Sequence, residues 1–373
     1  MKILDDLLES DIEYLREKLS KDPSPDNYRF NKLRTFNYNG GSVVEGSYTD
    51  PLLVSYYMLK YATFYSLEYY IIYDLLLRIF KKINNDAIPN VISFGSGSMI
   101  DGLSLDYAFN RIFTEDDNRI YKYFGTDLYK WPRWGDLKLW KTDISNKHGG
   151  HGIFKAAFRV SMDDFWRESE LYDAEVYNTN IIFFPKMLSE NIDNKGVDGR
   201  TVIDRTCEEI KDNARRFESK YIFICASYRG YSTHDYDKKL LEKIIAAFGK
   251  YYEWNHQFNE QMFEMVKSEW IGNEFFDNNN GTFSSVKDID KADYYLGGRF
   301  HDFQMSKQLR DFLYVSDAEI RTYCEKRSYT RCEFCRQCHF KPRLKLQYNA
   351  NAYSEGDKTC FSIIVLRKKG ESR

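Results

Sequence analysis

The sequence predicts an α/β fold in which a mostly parallel sheet carries helices on both faces. Short β-rich runs alternate with segments of helical spacing from residue 90 to residue 252, and such alternation is typical of parallel strands joined by helices. The first β-rich run leads into a glycine-rich turn, and the last has the pattern of an antiparallel hairpin strand. The 373 residues suffice for one enlarged domain or two joined domains.

Residues 1–85 are expected to form an N-terminal helical layer. The first helix is indicated by an apolar stripe of helical spacing, formed by Leu4, Leu7, Leu8, Ile12 and Leu15. Asp50 can cap a second helix, and Pro51 suits the first position of that helix. This second helix is expected to reach Lys81 or Lys82 and to pack on the core.

An α/β core is expected over residues 86–253. Its β-rich runs are, in chain order, VISFG, IYKYFGTD, AAFRVS, NIIFFP and YIFICAS. Helical spacing follows the glycine turn and recurs at 201–217 and 235–252. Cys207 and Cys225 fall within these helix and strand patterns and are expected to be core residues.

The C-terminal part of the chain departs from this alternation. Residues 254–342 fit neither pattern and are predicted to form an inserted subdomain with a cysteine cluster. In residues 343–373, RLKLQYNANAY and CFSIIVLRK flank the turn-rich SEGDK. This arrangement predicts an antiparallel hairpin that closes the edge of the core sheet.

Composition excludes several classes of protein. With 43% apolar and 17% aromatic residues and a net charge of −2, the chain is not a disordered one. Lys60, Glu68 and Asp74 interrupt its most apolar stretch, so no membrane span is expected. The charged, amphipathic start lacks the apolar segment of a signal peptide. A soluble, cytoplasmic protein is therefore predicted.

The glycine turn follows the first strand of the core, in the segment VISFGSGSMIDG. Without side chains at Gly95 and Gly97, backbone N–H groups can approach a ligand at a helix N-terminus. A dinucleotide fingerprint needs Gly or Ala where Ile100 stands, and a P-loop needs a lysine that this turn lacks. These departures weaken an NAD site and disfavour ATP hydrolysis.

The turn Gly95-Ser96-Gly97-Ser98 resembles that of the Rossmann-like class I methyltransferases, over about residues 85 to 250 and the final hairpin. The resemblance implies S-adenosylmethionine bound by Phe94 and the four turn residues. It implies that Asp127 holds the ribose hydroxyls and that Asp163, or else Asp164, binds the adenine amino group. Ser93 and Phe94 replace the acidic residue that often ends the first strand in this family.

Catalytic residues are harder to predict than cofactor ligands. Methyl transfer depends mainly on positioning, and a base is needed only when the acceptor must lose a proton. Lys186, Ser189 and Glu190 follow the fourth strand of the core and are candidates to line the substrate entrance, with Lys186 and Glu190 the catalytic candidates. Residues 183–186 read FFPK in place of the family's Asp/Asn-Pro-Pro-aromatic motif.

Two tryptophans and four cysteines complete the candidate residues. Trp131 and Trp134 follow Asp127 and could flank adenine or a flipped base, or pack in the core. The cysteines are Cys324, Cys332, Cys335 and Cys338, and their spacing predicts structural zinc, with His339 able to replace one thiolate. An iron–sulfur cluster with Cys324 or Cys360 as fourth ligand, and free thiols, stay open as alternatives.

The basic charge is concentrated at the C-terminal end. Residues 321–373 contain 13 Lys and Arg but only 5 Asp and Glu. This segment predicts a nucleic-acid acceptor, and RNA in particular, bound through Arg327, Arg331, Arg336, Lys341, Arg343 and Lys345. A charged face that is only solvated stays open as the alternative. Two other functions stay open: a catalytically inactive nucleic-acid-binding or regulatory module of the same fold, and an NAD-dependent oxidoreductase.

Overall fold

A computed structural model gives the conformation of a defined set of residues. They are 2–21, 47–113, 119–131, 151–168, 176–188, 198–228, 234–255, 287–290 and 358–370. The helices in these ranges are α1 (Lys2–Lys21), α2 (Pro51–Ile83), α3 (Ile100–Ile112), α4 (Met162–Arg167), α5 (Val202–Asn213) and α6 (His234–Phe248). The strands are β1 (Asn90–Phe94), β2 (Tyr121–Asp127), β3 (Gly152–Phe158), β4 (Ile181–Pro185), β5 (Tyr221–Ser227), β6 (Tyr252–Trp254), β7 (Lys287–Asp290) and β8 (Lys358–Lys368).

The strands of the described part form one sheet in the order β3-β2-β1-β4-β5-β8-β6, with β7 also paired to β8. Strands β1 to β5 are parallel, whereas β8 runs antiparallel to both β5 and β6. Without β8, this is the 3-2-1-4-5-6 order of doubly wound nucleotide-binding sheets. The predicted fold class is confirmed.

The sheet order places a topological switch point between β1 and β4. From β1 the chain continues to β2 and β3 on one side, and it returns to β4 and β5 on the other. Phe94 pairs with Thr126, and Pro185 pairs with Ser227, so these four strands end along one edge. Ligands of such sheets bind outside the carboxyl ends at the switch point.

Helices pack on both faces of the sheet. On one face, rings of α2 contact the central strands: Tyr73 lies 5.0 Å from Phe183, and Phe80 lies 5.2 Å from Phe223, between ring centroids. On the other face, side chains of β1, β4 and β5 form a buried cluster with α4, α5 and α6. The central strands are buried on both sides, which explains their nearly continuous apolar sequence.

The helix boundaries follow local capping. Ser161 Oγ accepts from the N–H of Asp164 (3.3 Å) at the start of α4, and Thr201 Oγ1 accepts from the N–H of Asp204 (3.2 Å) at the start of α5. These side chains satisfy donors that the first helical turn leaves without partners. The sequence pattern predicted α5 but not the six-residue α4.

Several predicted boundaries are wrong. Strand β3 begins at Gly152 and ends at Phe158, earlier than the run AAFRVS indicates, because Ser161 already caps α4. The sixth helix ends at Phe248 rather than near residue 252, where β6 pairs with β8 instead. The final strand does not close the sheet edge, since β8 lies between β5 and β6. The other strand of the predicted hairpin falls outside the described residues.

The chain divides into two compact units. One comprises Met1–Leu67, Lys130–Asp136 and Asp290–Asp357, and the other comprises Glu68–Tyr129, Leu137–Ile289 and Lys358–Arg373. In the first unit, the buried Ser55 Oγ donates to Asp11 Oδ1 (2.8 Å) and ties α1 to α2, the two predicted N-terminal helices. Among the described helices, none has the length and apolar character needed to cross a membrane.

Candidate functional site

The glycine turn lies at the switch point, between β1 and α3. Gly95 and Gly97 have φ angles of 68° and 53°, and Met99, the residue before α3, has φ 62°. Such left-handed conformations suit glycine, whereas a residue with a side chain is strained in them. The turn closes on itself through a hydrogen bond from the N–H of Met99 to the carbonyl of Ser96 (2.7 Å). The predicted glycine turn is therefore present in the fold.

Two close approaches explain why glycine is needed around this turn. A Cβ built on Gly95 would lie 2.7 Å from the Cβ of Met187, a residue just beyond β4. A Cβ built on Gly125, in β2, would lie 2.8 Å from the Oγ of Ser96. Both distances are shorter than real Cβ contacts, so substitution at either glycine must displace its neighbour. The turn is thus fixed between β2 and the segment after β4.

Asp127 ends β2 and binds the glycine turn directly. Its Oδ2 accepts from the N–H of Gly97 (2.8 Å), and its Oδ1 accepts from the N–H of Tyr129 (2.8 Å). Ser96 adds a backbone bond from its N–H to the carbonyl of Thr126 (2.9 Å). Burial raises the pKa of Asp127 to about 6, although the two N–H donors lower it. The structure therefore brings together Asp127 and the turn.

Asp163, the second predicted acidic ligand, lies in a different environment. It is buried in the first turn of α4, where its Oδ2 accepts from Arg205 Nε (2.5 Å) and its Oδ1 from Ser161 Oγ (2.7 Å). Burial opposes its ionisation, but Arg205 and Ser161 outweigh that effect and hold the pKa below its usual value. Asp164 is 42% exposed and pairs with Arg167. The role of Asp163 toward adenine stays a prediction.

Phe94 and the start of α3 support the turn from the two faces of the sheet. The ring of Phe94 is buried and stacks on Phe184, with centroids 5.6 Å apart. On the α3 side, Tyr123 Oη donates to the buried carboxyl group of Asp101, 2.9 Å from both oxygens. Burial raises the pKa of Asp101 to about 6. Packing and a buried hydrogen bond thus hold both ends of the turn.

Lys186 follows β4 at the carboxyl ends of the strands, where the glycine turn also lies. Its Nζ lies 2.7 Å from Oε1 of Glu68, a fully buried residue of α2, and donates to the carbonyl of Tyr228 (3.0 Å). Ser227 Oγ also donates to Glu68 Oε1 (2.7 Å). Lys186, one of the predicted entrance residues, is therefore held at the switch point by its contacts with Glu68 and Tyr228. The other predicted entrance residues, Ser189 and Glu190, fall outside the described residues.

Trp131 packs in an aromatic cluster of the first unit. Its indole stacks on Tyr48, with ring centroids 4.8 Å apart and an interplanar angle of 23°. It also meets Tyr57 edge to face, with ring centroids 5.2 Å apart. Trp131 is 6% exposed, so the packing alternative describes its environment better than a role beside adenine. Trp134 falls outside the described residues.

The four cysteines of the predicted zinc site also fall outside the described residues, as do His339 and the basic segment up to residue 357. Within the described ranges, no group of three or more His, Cys, Asp or Glu side chains is arranged to hold a metal. Cys207 and Cys225 are free and buried, as predicted for core residues.

Sequence reasoning missed three residues that organise this edge. They are Glu68, Arg205 and Met187, which contact Lys186, Asp163 and Gly95 respectively. The sequence offered one signal, since Glu68 is one of the few charged residues within the apolar stretch of α2. A charge in such a helix is expected to be paired when buried. No comparable signal marks Arg205 or Met187.

The edge as a whole offers three features to a ligand. The glycine turn allows close approach of a ligand to the backbone, Asp127 supplies an acceptor-only carboxylate when ionised, and Lys186 supplies a cation held by Glu68. The first two features suit a nucleoside-like ligand whose hydroxyl groups donate hydrogen bonds.

Comparisons with known proteins give similarities to solved structures. No protein-family model matches the chain, and no curated protein matches it. The chain is similar to the plantazolicin methyltransferase BamL in complex with a triazolic desmethylPZN analog and SAH, at 12% identity, with 87% of this chain and 93% of that chain covered and a TM-score of 0.32. It is also similar to the plantazolicin methyltransferase BpumL in complex with a monoazolic desmethylPZN analog and SAH, at 10% identity, 99% coverage of both chains and a TM-score of 0.27.

Proposed function

We propose that the protein is an S-adenosylmethionine-dependent methyltransferase. The observation that carries the proposal is the hydrogen bond from the N–H of Gly97 to Asp127, which joins the glycine turn to the carboxylate ending the next strand. In a sheet of this order, both groups lie at the switch point where nucleotide ligands bind. Met187 and Ser96 already occupy the space that side chains at Gly95 and Gly125 would need, so the close packing of the turn requires glycine at both positions.

In this proposal, each residue has a specific role in binding the cofactor. The turn of Phe94 to Ser98 lets the cofactor lie close to the backbone, and ionised Asp127 accepts from the ribose hydroxyls. Asp163, oriented by Arg205 and Ser161, accepts from the adenine amino group with lone pairs that these partners leave. The bound cofactor would supply the methyl group. Lys186, and Glu190 further along the chain, are the proposed residues on the acceptor side.

Titration calorimetry with S-adenosylhomocysteine tests this function against its alternatives. The proposal expects saturable binding of S-adenosylhomocysteine and none of NADH at the same concentrations. Binding of NADH alone would instead favour an oxidoreductase. Binding of S-adenosylhomocysteine without methyl transfer to any acceptor from a total cell extract would favour the inactive module. No binding of either ligand would overturn the proposal.

The proposed acceptor is an RNA bound by the basic segment of residues 321–373. Its net positive charge supports this proposal, since phosphate contacts release counterions. Filter binding of total RNA at several salt concentrations is expected to give a log–log slope of about −0.7 per phosphate contact. Methyl transfer that is unchanged when Arg331, Arg336 and Arg343 are all replaced by Glu would contradict an RNA acceptor bound there.

A structural zinc ion is proposed for Cys324, Cys332, Cys335 and Cys338. The spacing of these thiols in the sequence supports it, because a metal can stabilise a polar loop that has little core of its own. Elemental analysis of the purified protein is expected to find about one zinc per chain. Iron with acid-labile sulfide would indicate the cluster alternative, and a folded, metal-free protein would contradict both.

A further inference from the structure

Glu68 is a buried charge on a helix that is otherwise mostly apolar. It lies in α2 and is 0% exposed, yet its Oε1 receives two hydrogen-bond donors from the carboxyl edge of the sheet. These are Lys186 Nζ and Ser227 Oγ, each 2.7 Å away. A buried carboxylate is unfavourable unless it is paired and hydrogen-bonded. The pairing therefore satisfies the buried carboxyl group of Glu68 and attaches α2 to the ends of β4 and β5.

Lys186 connects this carboxylate to the turn that follows β4. Its side chain is 11% exposed, and its backbone has φ 54°, a left-handed conformation that is strained for a residue with a side chain. The N–H of Lys186 donates to the carbonyl of Ser227 (3.0 Å), while its Nζ donates to that of Tyr228 (3.0 Å). Side chain and backbone together hold the strained turn in place.

The next residue of this turn covers the glycine turn. Met187 places its Cβ and Cγ 2.7 and 3.0 Å from the position that a Cβ on Gly95 would take. A shift in the backbone at Lys186 therefore moves the side chain that packs on Gly95. Because the backbone of residues 95–98 is expected to contact the cofactor, a shift of this kind would change cofactor affinity.

We propose that Glu68 is a positioning residue for the cofactor site, acting through Lys186 to hold the turn after β4 against Gly95. This inference rests on the proposed function and deepens it, since neither residue needs to contact the cofactor. Glu68 and Ser227 are 159 positions apart in the chain, yet they meet with Lys186 at the switch point.

A cycle of variants separates positioning from simple stability. Removing one member of a buried ion pair leaves the other charge without its partner, whereas removing both members is often nearly neutral. In the double variant Glu68→Gln with Lys186→Met, the introduced amide can still accept from Ser227, and the methionine keeps an unbranched side chain. We therefore expect near wild-type thermal stability for the double variant but an affinity for S-adenosylhomocysteine at least tenfold lower.

The control is a second ion pair of the same helix. Asp74 and Arg78 of α2 pair at 3.1 Å, with Asp74 buried. The double variant Asp74→Asn with Arg78→Met is expected to bind S-adenosylhomocysteine within twofold of the wild type. This control measures the effect of removing a charge pair from α2 without altering the turn after β4.

The outcomes distinguish the inference from the proposed function. If the wild type binds S-adenosylhomocysteine and the Glu68/Lys186 double variant binds it equally well, the positioning role is overturned and the methyltransferase proposal stands. If the wild type does not bind, both are overturned. If the double variant does not fold, Glu68→Gln alone decides: an affinity about threefold lower supports positioning, and an unchanged affinity overturns it.

Discussion

The two acidic residues predicted to bind the cofactor lie in opposite electrostatic environments. Asp127 accepts from backbone N–H groups of Gly97 and Tyr129, and burial raises its pKa to about 6. Asp163 pairs with Arg205, which keeps its pKa below the usual value despite burial. Backbone dipoles stabilise a carboxylate less than a guanidinium does. Asp127 is thus easily protonated, whereas Asp163 stays ionised.

The two environments determine which carboxylate can respond to a ligand. New hydrogen bonds to Asp127 from ribose hydroxyls would favour its ionised form, so ligand binding and ionisation are coupled at this residue. The charge of Asp163 is already balanced by Arg205 in the free protein. Asp163 is therefore expected to act by its fixed position, and Asp127 by its change of charge. The following variants test this distinction and the glycine turn on which it depends.

The largest effect is expected for Gly95→Ala. The added Cβ would meet Met187 at 2.7 Å and would occupy a left-handed backbone, so we expect a loss of about 2 to 5 kcal/mol in the free energy of unfolding. Gly199→Ala is the matched control, since Gly199 has φ 75° but nothing within 4 Å of its added Cβ. For Gly199→Ala, urea denaturation should show a loss of only about 1 to 2 kcal/mol in the free energy of unfolding. Equal losses would contradict the close packing of Met187 on Gly95.

The pH dependence of stability should differ between the wild type and Asp127→Asn. A folded-state pKa of about 6, above the unfolded value, means that the folded state holds an extra proton between about pH 4 and 6. Asp127 therefore contributes most to the free energy of unfolding at low pH. About 2 to 3 kcal/mol of that contribution is lost as pH rises through 6. Denaturation at pH 5 and pH 7 should show that Asp127→Asn gains stability relative to the wild type at the higher pH. A difference of the opposite sign would contradict the raised pKa.

A smaller effect is expected for Arg205→Met. This change leaves the buried Asp163 without its cation. Because Arg205 is 22% exposed and solvent screens the pair in part, we expect a loss of about 1 to 2 kcal/mol in the free energy of unfolding. The lowered pKa of Asp163 contributes stability above its unfolded pKa, and that contribution is lost as pH falls through the folded value. The variant's deficit should accordingly shrink at low pH. Lys243→Met, which removes an exposed partner of Asp204, is the control and should cost little.

The sequence alone was sufficient to predict the central strands and the glycine turn. Strands β1, β4 and β5 are short apolar runs because helices cover both of their faces, and the position of Asp127 follows from its place at the end of β2. Strand β3 has exposed and half-buried positions, so its apolar signal is weaker and its boundaries were misplaced. The location of β8 inside the sheet depends on pairing between strands, which periodicity cannot show.

The partners of the site residues could not be predicted in the same way. Arg205 lies 42 positions after Asp163, and Ser227 lies 159 positions after Glu68. Nothing local in the sequence selects these pairs, because their members lie on elements that are distant in the chain and meet only in the folded structure. The sequence could therefore place Asp127 at the end of β2 and Asp163 after β3, but could not tell which would carry a raised pKa and which a lowered one.

Titration of S-adenosylhomocysteine into the wild type and into Asp127→Ala is the sharpest test of whether Asp127 and the glycine turn hold the cofactor. Loss of the carboxylate leaves the ribose hydroxyls without an acceptor, so affinity should fall by about 1 to 3 kcal/mol, or about 5- to 150-fold. Asp86→Ala, in the exposed turn before the amino end of β1, is the control and should bind as the wild type does. Binding by the wild type that is unchanged in Asp127→Ala would contradict the claim that Asp127 and the glycine turn hold the cofactor.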